Sequence, residues 1–269
     1  MSFIVKAEGT AYSKVIILDR EVGTVVKQYD VPNPQQTDVL IASYDIYSGN
    51  NDIAVLHTTY TVNFGFTNEV FITMDGGSSW RTIYLSLDNM DVAINNVAIS
   101  PDNADKLFLM RGVSPNSDLG GLFLSEDAGI TWEEKIPGNA YSAIAFNPED
   151  ADNILLGTFY GYGSHQENLY RSVDGGETWN IIPITYTSMS NDNINFIKFN
   201  PVNTDAIIVL EENEIITSND NGLTWQNEVY TVINPEEYYF GLSASFNPFT
   251  AGDIVQTSIL SEAVMVEVP

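Results

Sequence analysis

Four carboxylates recur in this 269-residue chain at matching places in one short pattern: Asp75, Asp127, Asp174 and Asp220, spaced 52, 47 and 46 residues apart. Each follows a hydroxyl by two residues (Thr73, Ser125, Ser172, Ser218) and precedes a glycine by two (Gly77, Gly129, Gly176, Gly222). A second hydroxyl stands four residues on (Ser79, Thr131, Thr178, Thr224), directly before a tryptophan. Trp80, Trp132, Trp179 and Trp225 are the four tryptophans of the protein. A carboxylate beside a hydroxyl could act as a general acid or base, or hold a cation through oxygen. It could equally accept the N–H groups of a tight turn, with Gly at φ > 0 and the indole covering the hairpin. A unique reactive site does not repeat in every unit. The eight-residue pattern, called the box below, is therefore read as a structural staple.

The remaining inventory narrows the chemistry. Zero cysteines exclude disulfides, thiol catalysis and thiolate zinc sites. His57 and His165 are the only histidines, so no metal site or cofactor is expected, beyond weak calcium binding in acidic loops. Thirty-six acids against ten bases give a net charge of −26, which opposes nucleic-acid phosphate and anionic lipid. No apolar run approaches the roughly 20 residues needed to span a bilayer, so membrane insertion is not expected. Met1 to Gly9 lacks the long apolar stretch of a secretion signal. Two locations fit: a virion component made without a signal, or an extracellular or cell-surface chain whose signal has been removed.

A period of this size marks a propeller or a solenoid. Each unit opens with an apolar strand, such as Val97 to Ile99 or Ala143 to Phe146, which ends near a proline (Pro101, Pro148, Pro201, Pro248). A short acidic loop, a second strand, a third strand, the box and a fourth strand complete it. Four antiparallel strands per repeat around a centre make a propeller blade. Three strands at 3–9, 14–20 and 24–31 precede the units, and three more follow them. The expected fold is an all-β propeller of five or six four-stranded antiparallel blades. It is one domain over 1–269, with the first and last strands meeting to cover exposed edges.

The box resembles the Asp-box, or BNR, repeat of sialidases, sortilin-type receptors, some xyloglucan-degrading enzymes and photosystem II assembly factors. The repeat-bearing region covers about residues 38–260. The resemblance implies a β-propeller with each box on the turn between the third and fourth strands. It does not imply an enzyme, because such blades serve chemistry, cargo binding and assembly alike. Sialidases need an arginine triad, a tyrosine nucleophile and an acid. Of Arg20, Arg81, Arg111 and Arg171, Arg81 directly follows Trp80 and Arg171 lies in the strand entering a box, both framework positions. The early Arg-Ile-Pro segment of sialidases is missing, and the charge repels an anionic sugar. No catalytic residue is assigned. A neutral-glycan hydrolase with two carboxylates flanking the bond is the alternative.

Turns after strands one and three emerge at one end of a blade, and those after strands two and four at the other. The expected working face is the one opposite the boxes. Its second-strand loops are long at 61–67, 113–119 and 160–166, and short at Glu212-Asn213. That face is expected to carry Tyr60, Phe64, Phe66, Tyr160, Tyr162, His165, Tyr186, Tyr238 and Tyr239. Aromatics on loops suit sugar stacking or a protein contact. The function expected is non-catalytic recognition or scaffolding with a protein or glycan partner, its oligomeric state open.

Overall fold

The computed structural model describes residues 2–6, 13–19, 21–32, 39–62, 65–86, 93–112, 120–159, 168–182, 184, 193–211, 214–229, 244–245 and 254–255, and the structural statements below concern these. Strands β1 (Ser2–Lys6), β2 (Ser13–Leu18) and β3 (Val25–Asp30) pair in order as an antiparallel opening sheet. Four complete blades follow. Blade one holds β4 (Leu40–Ile46), β5 (Ala54–Val62), β6 (Gly65–Thr73) and β7 (Arg81–Ser86). Blade two holds β8 (Ile94–Ile99), β9 (Leu107–Arg111), β10 (Gly121–Ser125) and β11 (Glu133–Pro137). Blade three holds β12 (Tyr141–Asn147), β13 (Asp150–Thr158), β14 (Leu169–Ser172) and β15 (Asn180–Ile182). Blade four holds β16 (Phe196–Phe199), β17 (Ile207–Leu210), β18 (Glu214–Ser218) and β19 (Gln226–Val229). The pair β20 (Ala244–Ser245) and β21 (Ile254–Val255) follows. The architecture is a β-propeller, and its strand count is consistent with five or six blades.

Burial explains the strand sequences. The second strand of a blade is covered on both faces, so β9 reads as a continuous apolar run, Leu107 to Met110, all buried. The fourth strand lies outermost, and β11 is accordingly Glu-rich and largely exposed. The apolar core is four inter-sheet layers rather than one centre. One joins the opening sheet to blade one through Val15, Tyr29, Ile41 and Leu56. The next three join successive blades. Each layer takes the half-buried tryptophan from the box of its later blade: Trp80, Trp132, Trp179 and Trp225 respectively. The indoles thus glue a blade to its predecessor as well as covering their own hairpins.

The turns after strands one and three share an end. The N–H groups of Gly76, Ala128, Gly175 and Asn221 in the boxes bond the carbonyls of Asp52, Asp105, Asp152 and Asp205, at 2.8 to 3.0 Å. These aspartates lie in the turns after the first strands or, for Asp152, at the start of β13. This defines a box end and a far end. One expectation fails at the far end of blade one. The expected 61–67 loop is mostly strand, because β5 and β6 stay paired to Val62 opposite Gly65. Alternating Thr, Tyr and Phe favour a pleated strand there over a loop. In blade three Asn147 Oδ1 accepts the Glu149 N–H at 2.9 Å and closes a tight turn around Pro148, and β13 begins directly after it at Asp150.

Candidate functional site

Each box saturates its own polar groups. In blade three, Ser172 Oγ donates to Asp174 Oδ1 (2.7 Å) and accepts the Gly176 N–H (2.8 Å). Asp174 Oδ1 accepts the Thr178 N–H (2.9 Å), and Oδ2 accepts the Thr178 hydroxyl (2.6 Å). The same bonds recur around Asp75, Asp127 and Asp220. Two successive residues carry φ > 0 in every copy, at 70° and 93° for Gly175 and Gly176. Ala128 and Asn221 hold that conformation at 57° without being glycine, which the surrounding bonds must enforce. The bonds from Thr178 and Thr224 hold Asp174 and Asp220 at a pKa of about 2, and the Thr131 N–H does the same for Asp127. The Ser79 hydroxyl, first among its donors, lowers the Asp75 pKa from the ordinary carboxylate value.

Basic side chains clip each box to the preceding sheet. Arg81 donates to the Ala128 carbonyl (2.5 Å), and Arg171 donates to the Asn221 carbonyl (2.6 Å) and to its side-chain oxygen (2.8 Å). Both arginines are framework groups. Lys27 bonds Asp52, and Lys135 bridges Glu133 (2.9 Å) and Glu177 (2.8 Å) of the next box.

The four innermost strands wall a cavity of about 560 Å³ at the box end of the central channel. Its described lining is mostly apolar (Val97, Ile99, Ile144, Phe146 among them), and Asp45 is the one carboxylate among the described residues there. Asp45 straps blade one to blade two, accepting the Ile99 N–H at 2.8 Å. Desolvation in the channel wall pushes its pKa up to about 6, against two backbone hydrogen bonds that oppose the shift. Asn96 and Ser142 make similar straps to the Ser142 and Ile194 carbonyls. These bonds cover inner strand edges that the blade ladders leave open.

The far end is different. Six residues beyond Asp52, Asp105, Asp152 and Asp205, towards the far end, stand Thr58, Arg111, Thr158 and Glu211, although β5 runs four residues past Thr58 to Val62. The residues across from them are Glu69, Gly121, Asn168 (just before β14) and Glu214. Thr58, Glu69, Thr158, Glu211 and Glu214 are all buried. His57 joins this layer, with Nε2 2.9 Å from Asn68 Oδ1 and Nδ1 3.3 Å from Ser43 Oγ. Burial pushes its pKa down to about 4, so it is a neutral core histidine. Glu69 Oε1 accepts the Thr82 hydroxyl at 3.0 Å. The polar layer thus varies in every blade.

Of the aromatic residues expected at the far face, Tyr60 is described and buried, packed beside Val39 and Ile41. Burial first, and Glu69 second, raise its pKa above the usual phenol value. Phe66 sits in β6 opposite Thr61. Phe64, Tyr160, Tyr162, His165, Tyr186, Tyr238 and Tyr239 lie outside the described residues. The buried glutamates and His57 went unnoticed as a layer in the sequence. Counting six residues on from the first-strand aspartates is the signal that finds it. Among the described residues, no group of three or more His, Asp or Glu side chains is placed to hold a metal ion.

No protein-family model matches the chain, nor does any curated protein. Solved structures do. An ancestral GH74 enzyme aligns at TM-score 0.53 and 17% identity, over 74% of this chain and 24% of that one. The GH74 xyloglucanase from Xanthomonas campestris aligns at TM-score 0.50 and 12% identity, over 82% of this chain and 44% of that one. The chain therefore spans about a quarter of the first and under half of the second. At this identity the likeness is one of fold.

Proposed function

We propose that this is a non-catalytic recognition or scaffolding propeller of the Asp-box kind, whose far face binds a protein or glycan partner on a cell surface or virion. The observation that carries the reading is the contrast between the two ends. At the box end, carboxylates, hydroxyls and arginines are engaged by the framework itself. At the far end the cross-strand positions differ from blade to blade, with Thr58, Glu69, Thr158, Glu211 and Glu214 buried among them, and the sequence places tyrosines in several of the connections expected at that end. Non-repeating polar groups under a face are what a specific partner requires.

A second reading, hydrolysis of a neutral glycan, is favoured by one observation: Glu211 and Glu214 are both buried in one far-end hairpin. The xyloglucanase among the similar folds names a neutral substrate class to try. One experiment separates the readings. Wild type, the Tyr160→Ala/Tyr162→Ala double variant and Glu214→Gln are compared for binding on protein and glycan arrays and for release of reducing ends from xyloglucan. Recognition predicts binding that the double variant loses at unchanged melting temperature, and no reducing ends. Turnover abolished in Glu214→Gln would replace recognition with hydrolysis.

A further inference from the structure

Arg111 differs from the other described arginines. Arg81 and Arg171 clip boxes, whereas the Arg111 guanidinium lies over the Phe123 ring, 4.8 Å from its centroid. Its Nε–H is buried and has no acceptor among the described residues. Among the described residues, ion pairs engage Lys14, Lys27, Lys106 and Lys135 but not Arg111, in a chain with 36 acids. The exposed Lys198 also has no ion pair, but water solvates it. The ring beneath the guanidinium depends on a glycine. A Cβ at Gly121 would stand 3.1 Å from Phe123 and 2.9 Å from a Glu134 carboxyl oxygen, yet Glu134 makes no ion pair with Arg111. Arg111 ends β9, at the far end of its blade.

A buried donor without an acceptor destabilises a fold and calls for an explanation, such as an absent ligand. A stacked guanidinium keeps its plane fixed and its fork of donors together, the arrangement that receives a carboxylate through two bonds. We propose that Arg111 is the anion anchor of the far face and grips one carboxylate of a protein partner. This rests on the recognition reading and names the partner's chemistry. An acidic glycan carries a charge on every repeating unit, which a net charge of −26 repels. A protein segment offers one carboxylate flanked by apolar side chains.

The test uses the full chain with Arg111→Met, which keeps an apolar stem over Phe123, and Arg111→Lys, which keeps charge without the fork. Probes are capped leucyl-glutamyl-leucine, its glutamine counterpart and trigalacturonate, followed by the arginine Nε–H resonances. The glutamyl peptide should shift one such resonance, the one absent from Arg111→Met, and the glutamine peptide should not. Affinity should fall about tenfold or more in Arg111→Met and less in Arg111→Lys. Without ligand, Arg111→Met should melt at the same temperature as wild type or higher, because the unbonded donor is gone. A lower melting temperature would mean that the chain itself holds the guanidinium, and overturns the proposal. So would an equal response to the glutamine peptide, or no arginine response at all. Preference for trigalacturonate would assign the site to an acidic glycan instead. The peptide probes need no natural partner, so their failure is separable from retained binding in the tyrosine double variant, which would sink the recognition reading alone.

Discussion

The two ends of the blades use polar residues in opposite ways. At the box end the same bonds recur four times, and each carboxylate finds its partners within four residues of itself. At the far end the matching positions hold Thr58, Arg111, Thr158 and Glu211, with no two blades alike in their cross-strand pair. Repetition signals a demand of the fold, because every blade must solve the same turn and the same contact with its neighbour. Departure from repetition is where a fold can be specialised.

The largest expected effect tests the box end. Trp179→Ala removes a half-buried indole from the layer between blades two and three, and the Nε1–H bond to the Gly176 carbonyl. It should cost roughly 2–3 kcal/mol in chemical denaturation, below the range for a fully buried ring. Ser172→Ala comes next. It leaves the buried Gly176 N–H without its acceptor, at a cost of about 1–2 kcal/mol. The same change at Ser125 or Ser218 should cost a similar amount. Unequal costs would break the claim that the boxes are interchangeable supports.

Arg171→Met sharpens the comparison between ends. It removes the bonds to Asn221 and Asn153, so about 1 kcal/mol of stability should be lost. Arg111→Met, at the far end, should lose none. Equal losses in denaturant titrations would erase the distinction between a framework arginine and a binding arginine.

How much was legible follows from how far each interaction reaches along the chain. The box could be read because its bonds span two to four residues, so the pattern carries its own geometry. The blade, its strand order and the framework role of Arg81 and Arg171 followed from the repeat. Contacts between blades were not legible. Asp45 bonds Ile99, and Asn95 bonds the Tyr141 carbonyl, across about fifty residues with no local signature. Tyr60 was expected on a loop and is buried, because pairing between β5 and β6 runs past it to Val62. The glutamates at 211 and 214 flank the short Glu212-Asn213 connection, and nothing in the sequence pattern marked them as buried. Only stacking of the blades makes them interior.

The smallest effect is a pH dependence with opposite signs in two regions. His57, at the far end, has a folded pKa of about 4, below the 6.5 of a free imidazole. The unfolded chain therefore binds the extra proton first, and the stability that neutral His57 provides is lost as pH falls from about 6.5 through 4. Asp45, at the box end of the channel, has a folded pKa of about 6, above the 3.8 of a free carboxyl. Here the folded chain binds the proton first, so the same fall in pH, through 6 towards 4, adds stability. The two trends oppose each other across pH 4 to 6, and wild type should show a shallow profile there. His57→Gln should expose the Asp45 trend, with stability rising towards pH 4. Asp45→Asn should expose the His57 trend, with stability falling. The boxes enter only below about pH 4, where protonation of Asp127, Asp174 and Asp220 towards their pKa of about 2 removes turn acceptors. Melting temperatures at half-unit steps from pH 3 to 7 check this. Parallel profiles for both variants would show that neither group is perturbed as its surroundings dictate.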